Sequence, residues 1–113
     1  MAYDDALADR VRGLLGEDPR LREQKMFGGL AFLIDGNMCV GIVNDDLMVR
    51  VGPDAYNDAL AQPHAREMDF TGRPMRGIVY VSAPGTTTDS ALEAWIDRGL
   101  EFAGSLPPKH RRG

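Results

Sequence analysis

One cysteine and two histidines are the side chains in this sequence that could most directly serve catalysis or metal binding. Cys39 lies in an apolar run, His64 lies in a predicted loop, and His110 lies near the C-terminus. A thiol activated by histidine needs both side chains within hydrogen-bonding reach, and a zinc site needs three or four ligands. The spacing predicts neither arrangement. Cys39 is therefore interpreted as a small buried hydrophobe, and we expect no catalytic residue, metal or cofactor.

The adjacent glycines Gly28-Gly29 suggest a second kind of chemistry, because glycine-rich loops bind phosphate where they lead into a helix. Here they precede the apolar run 30–34, which is too short for a helix and ends at the hairpin dipeptide Asp35-Gly36. Neither common phosphate-binding glycine pattern fits the sequence. The two glycines are interpreted as a bend or a close backbone contact in a strand, with Met26-Phe27 as core anchors beside it.

Positive charges are concentrated near the N-terminus, at Arg10, Arg12, Arg20, Arg22 and Lys25. Together with Arg111 and Arg112 they could form one basic face, suited to an acidic partner or to weak phosphate contacts. The alternative is an ordinary solvated surface, since Glu17, Asp18 and Glu23 interleave with them. No aromatic residues alternate with these charges, which disfavours the stacking of nucleic-acid bases.

Composition limits the partners and the compartment. The 113 residues carry a formal charge of −4, which argues against autonomous binding to a nucleic-acid backbone. The acidic N-terminus does not resemble a signal peptide, and no apolar run is long enough to span a bilayer. A single cysteine fits a reducing compartment, so a cytoplasmic location without membrane contact is expected.

The apolar spacing predicts three helices and five strands. Helices are predicted at 3–16, after Gly52-Pro53-Asp54, and from the capping candidates at Thr86 to Asp89 or the capping box at Ser90 and Glu93 onward. Strands are predicted at 30–34, 38–43, 47–51, 67–70 and 78–81. The order α-β-β-β-α-β-β-α predicts an α+β fold with a five-stranded antiparallel sheet. We expect a single domain at residues 1–106, followed by a basic, flexible tail at residues 107–113.

The third predicted strand indicates a possible second surface. Its alternation places Met48 and Arg50 on the face opposite Leu47, Val49 and Val51. If helices cover only one face of the sheet, part of the other face is available to a second copy or to another protein.

Several of these features occur together in one known family. The first features are the run Lys25 to Gly29, the Asp35-Gly36 hairpin between apolar strands, and the segment 47–51. They are followed by Gly72-Arg73-Pro74-Met75, Tyr80, Pro84 and a final helix that contains Trp95. In this order the sequence resembles the N-terminal domain of the TfoX/Sxy family of competence regulators, over roughly residues 5 to 105. From the resemblance we expect the sequence to end near that domain's boundary, without the second, helical domain of full-length regulators. Residues 69–77 follow the family pattern only loosely.

The resemblance implies a two-layer α+β domain in which helices pack on a curved antiparallel sheet, similar to the architecture of secretion chaperones. It implies a function in DNA uptake and competence, as a co-regulator with the cyclic-AMP receptor protein. We therefore expect a non-enzymatic protein-interaction domain that binds a protein partner, such as a transcription regulator, or forms a homodimer.

An alternative function remains open from the residues alone. A cleft beside Gly28-Gly29 could bind a small molecule or support an enzyme reaction, with Arg73 or Arg76 holding an anion.

Overall fold

A single antiparallel sheet organises the chain in the computed structural model, which describes residues 3–26, 28–68 and 76–108. These residues form six strands and three α-helices. In chain order they are α1 Asp5–Leu15, β1 Leu21–Met26, β2 Gly29–Ile34, β3 Asn37–Val43, β4 Asp46–Arg50, α2 Tyr56–Leu60, β5 Ala65–Glu67, β6 Ile78–Val81 and α3 Asp89–Ser105. A 3-10 turn at Ala83–Thr86 precedes α3.

The strands lie in the order β1-β2-β3-β4-β6-β5, and every neighbouring pair is antiparallel. The first four strands form a meander, whereas β6 pairs with β4 and places β5 at the far edge. The predicted α+β class and the antiparallel sheet are confirmed.

The sheet has six strands in the described residues, and the sequence predicted five. The additional strand is β1, whose residues Arg22 to Lys25 are all exposed. In a sequence, a strand with one buried face is recognised by its alternation of apolar and polar residues, and this stretch is polar on both faces. An edge strand needs no buried face to remain paired, and charged residues are typical of such strands.

Tight turns join the first strands. Asp35 and Gly36 have φ angles of 51° and 83°, so both central residues of the β2–β3 turn are left-handed, as the Asp-Gly dipeptide predicts. Asn44, in the β3–β4 turn, has a φ of 55°. Asparagine and aspartate adopt this conformation more easily than other non-glycine residues.

The helix ends follow local capping rules, with one correction. The carboxylate of Asp4 accepts hydrogen bonds from the backbone N–H groups of Ala6 and Leu7, at 2.9 and 3.2 Å. The cap of α3 is Thr88, one of the predicted candidates at Thr86 to Asp89, and its hydroxyl accepts from Ala91 N at 3.1 Å. The predicted capping box at Ser90 is wrong. Ser90 lies inside the first turn of the helix.

The main core lies between one face of the sheet and the helices. Leu92 and Ile96 of α3 are buried there together with Phe32 and Val40 of the sheet. Gly99 brings the helix close to β3, since a Cβ at this position would lie 2.6 Å from the carbonyl oxygen of Cys39. Close approach of α3 to the centre of the sheet therefore depends on the missing side chain.

The opposite face of the sheet carries a second, smaller cluster of buried residues, Ala31, Met38, Met48 and Met68. None of these described members belongs to a helix. Met48 lies on the face opposite Leu47 and Val49, as its position in the strand predicts, and its side chain is 0% exposed there, so Met48 itself is not available to a partner. Arg50 is half-buried, and its guanidinium carbon lies 5.2 Å from the centroid of the Phe102 ring of α3.

Some predicted features fall outside the described residues: the side chain of Met26, Phe27, residues 69–70 of the strand predicted at 67–70, Arg73, His110, and residues 109–113 of the predicted tail. The strand observed there, β5 Ala65–Glu67, begins two residues before the predicted one and shares only Glu67 with it, since Met68 lies outside the strand. Nearer the C-terminus, the carbonyl oxygen of Pro107 accepts a hydrogen bond from Asn37 Nδ2 at 3.0 Å.

Candidate functional site

The double glycine forms the turn between β1 and β2. Met26 pairs with Gly29, so the connection has two residues. Gly28 has a φ of 72°, and a Cβ at Gly29 would overlap the carbonyl oxygen of Ile42 on β3. Both glycines therefore have a conformational reason: one needs a left-handed backbone and the other needs close contact between strands. The turn leads into a strand, so it lacks the helix N-terminus on which a phosphate loop depends.

This hairpin determines which backbone groups of β1 face outward. Residues flanking a two-residue turn exchange hydrogen bonds, and such pairs alternate with non-bonded pairs along an antiparallel ladder. The backbone N–H of Asp35 donates to the carbonyl oxygen of Arg20 at 3.0 Å. Arg20 lies six residues before Met26, an even number, so this bond agrees with the alternation. Arg22 and Gln24 therefore bond to β2, and the N–H and C=O groups of the intervening residues point to the open edge.

The open part of this edge is short. Leu21 N donates to Asp18 O at 2.9 Å, and Leu21 O accepts from Arg22 Nη1 at 3.3 Å. Within residues 3–26, 28–68 and 76–108, no partner bonds the outward N–H and C=O of Glu23 and of Lys25. We call these four groups the open β1 edge. This feature was not predicted from the sequence, although the polar run between the first helix and the glycine pair could have indicated an edge strand.

Three of the five clustered positive charges are paired with carboxylates. Arg10 contacts Asp89 at 3.2 Å. Arg20 contacts Asp18 at 2.8 Å, which lowers the pKa of that carboxyl group from 3.8 to about 2. The predicted basic partner face is therefore partly neutralised within the chain, and its function stays a prediction.

Arg12 connects α1 to β1. Its Nε and Nη2 donate to the two carboxylate oxygens of Glu23 at 2.7 and 2.9 Å, and this hydrogen bonding lowers the pKa of Glu23. Arg22 and Lys25 form no ion pair with any residue that the structure describes. The uncompensated positive charge of the cluster therefore lies on the edge strand.

Cys39, the sole thiol, lies beneath α3. Its side chain is fully buried, and burial raises the pKa of the thiol from 9.0 to about 12. A thiol that stays protonated at neutral pH and is closed to solvent is a poor nucleophile. Within the described ranges, no group of three His, Cys, Asp or Glu side chains is arranged to hold a metal ion.

The raised pKa predicts a pH dependence of stability. Between pH 9 and about 12 the unfolded chain loses the Cys39 proton while the folded chain keeps it, so stability falls as pH rises. Relative to Cys39→Ala, the wild type should lose about 1.4 kcal/mol of unfolding free energy per pH unit in this window. Urea unfolding of both proteins at several pH values measures this difference. If the free energy of unfolding changed equally with pH in both proteins, the burial of the Cys39 thiol would be contradicted.

Arg98 of α3 lines two grooves, each with a volume of ≈ 390 Å³. Trp95 and His64 line the first groove, and Gly52 and Phe102 line the second. Arg98 itself pairs with Asp58 at 3.0 Å. The alternative function predicted a cleft next to Gly28 and Gly29. Neither of these glycines lines either groove.

The comparison with protein families is consistent with this geometry. The model of the TfoX N-terminal domain matches residues 14–103. The chain belongs to the TfoX N-terminal domain family. This confirms the resemblance that the hairpin residues indicated. The match spans the hairpin, the open β1 edge and most of α3. No curated protein matches the chain significantly.

One further structural observation concerns membranes. Among the described helices of this TfoX N-terminal domain, none combines the length and the apolar content that a membrane span requires.

Proposed function

We propose that this TfoX N-terminal domain is a non-enzymatic protein-interaction domain that acts in the cytoplasm as a co-regulator of transcription or competence. Membership of the family supports the regulatory part of the proposal. The interaction part rests on the open β1 edge, which offers backbone donors and acceptors to an added strand of another protein.

Charge and exposure at this edge favour a protein over a nucleic acid. Arg22 to Lys25 are exposed, and the strand mixes two positive side chains with one carboxylate. A surface that binds a phosphate backbone accumulates positive charge, whereas here Glu23 lies between the two positive residues. A polypeptide strand can match both signs and also bond to the backbone groups.

The alternative, a small-molecule site or an enzyme at Gly28-Gly29, has weaker support. Gly29 is buried against Ile42. Arg76 precedes β6, at the end of the strands that lies away from the Gly28-Gly29 turn. Arg76 lies over the ring of Tyr56, at 5.6 Å from its centroid. A thermal-shift screen over nucleotides and acidic metabolites tests this alternative, since a ligand at a hundred times its dissociation constant adds about 2.7 kcal/mol.

Affinity capture with edge variants tests the proposed function. Wild-type protein should retain a specific partner from lysate of its own cells, and Lys25→Glu should lose it because the charge at the open edge is reversed. Arg22→Glu makes the same change in net charge three residues away, on the other face of the strand, and should retain the partner. Equal capture by all three proteins would contradict the proposal, and so would a wild type that binds neither another protein nor a second copy of itself.

A further inference from the structure

We propose that the open β1 edge pairs with the same edge of a second copy of this chain, in a symmetric antiparallel arrangement centred on Gln24. This inference rests on the proposed function and names the occupant of the interaction surface. It follows from the number of open backbone groups, from their spacing and from the order of charges along β1.

The backbone groups limit the register. Only the odd-numbered residues of β1 direct their backbone N–H and C=O groups to the open edge, and those of Leu21 are already bonded within its own chain. Centring the pair on Gln24 places Glu23 of each copy opposite the partner's Lys25. The two pairs exchange four hydrogen bonds, which satisfies all four open groups of both copies.

The side chains select the same register. Residues directly opposite in an antiparallel pair lie about 4.5–5.5 Å apart at Cβ, so like charges there are destabilising. Centring on Arg22, Glu23 or Lys25 would each place that charged residue against its own copy. Centring on Gln24 places amide against amide and puts a carboxylate opposite an ammonium group twice. Of the centred registers that the backbone allows, this one avoids an opposed like-charge pair.

The edge chemistry also indicates the strength of the dimer. A contact made by one short strand falls below the area of a standard protein interface, so the association should be weak and concentration-dependent. In the dimer, Glu23 would lie between Arg12 of its own chain and the partner's Lys25. This position keeps the 2.7 Å contact between Glu23 and Arg12 Nε. A dimer of this kind extends the sheet from six to twelve strands, counting the strands described in each copy.

Charge reversal tests the pairing. Sedimentation over a range of concentrations should show reversible dimers for the wild type, and Lys25→Glu and Glu23→Lys should each weaken self-association at least about tenfold. A mixture of the two variants should recover association, because both opposed pairs are then complementary. Arg22→Glu is the matched control and should retain the dimer. A monomeric wild type, or dimers indifferent to Lys25→Glu, would overturn the proposal.

A cross-link tests the register without reversing a charge and remains informative if Glu23→Lys fails to fold. In a Cys39→Ala background, Gln24→Cys should form an intermolecular disulfide under mild oxidation, since residue 24 faces its own copy in a non-hydrogen-bonded pair, where opposed Cβ atoms come closest together. Arg22→Cys, which faces the partner's Met26, should form far less. Equal yields from both variants would overturn the register.

The two proposals fail in different ways. If the wild type is monomeric but still captures another protein through Lys25, the self-pairing is wrong and the interaction function stands. If it neither associates with itself nor captures a protein, both proposals are wrong.

Discussion

Replacing Gly29 by alanine should lower the free energy of unfolding by about 3 kcal/mol, the largest loss we expect from adding a single methyl group to this chain. The new Cβ would overlap the carbonyl oxygen of Ile42, a backbone atom of the neighbouring strand that cannot rotate away. The sheet must therefore separate at the hairpin or lose ladder bonds. Chemical denaturation of the variant and the wild type measures the difference.

Two other glycines provide controls for this substitution. Gly28 has open space around a Cβ but a φ of 72°, so Gly28→Ala should cost only about 1–2 kcal/mol. Gly13, in α1, has neither a close neighbour nor a left-handed backbone, so Gly13→Ala should gain about 0.5–1 kcal/mol. A loss below about 0.5 kcal/mol for both Gly29→Ala and Gly28→Ala would contradict our account of the motif.

Truncating Met48 to alanine should cost about 2–5 kcal/mol, the range for removing a large side chain from a core. Met48 is 0% exposed, and its Cε lies 2.7 Å from the position a Cβ would take at Gly41. The side chain thus fills the space above a glycine of the adjacent strand. If this face were an accessible partner surface, the loss would stay within about 0.5 kcal/mol.

Met48→Leu is the matched control, since it keeps the volume and should cost less than about 1.5 kcal/mol. Thermal and urea unfolding of the two variants separate lost volume from the loss of the thioether. Equal destabilisation by both variants would contradict a role based on packing.

The sequence predicted the parts of the fold that depend on local chemistry. Apolar alternation identified β2, β3, β4 and β6, and Asp35-Gly36 predicted the left-handed turn between β2 and β3. The edge strand β1 could not be found in this way, because its stability comes from pairing with β2 and not from a buried face. The burial of Met48 depends on what packs across the sheet, which alternation does not show.

The candidate site was predicted in part. The structural interpretation of Gly28-Gly29 followed from residue type and context, and the backbone geometry supports it. The pairing of Arg10 with Asp89, 79 residues away, depends on the tertiary fold. The open β1 edge depends on hydrogen-bond register, since Glu23 and Lys25 differ from Arg22 and Gln24 in the direction of their backbone groups and not in residue class.

Amide hydrogen exchange along β1 tests the central claim most directly: the glycine hairpin holds a strand whose outer edge binds another polypeptide strand. In dilute protein, we predict slow exchange at Arg22 and Gln24, which bond to β2, and fast exchange at Glu23 and Lys25. At high concentration Glu23 and Lys25 should become protected as well. Slow exchange of the Glu23 and Lys25 amides in the dilute monomer would contradict the account. Fast exchange of these amides at every concentration, and in the presence of any captured partner, would contradict it as well.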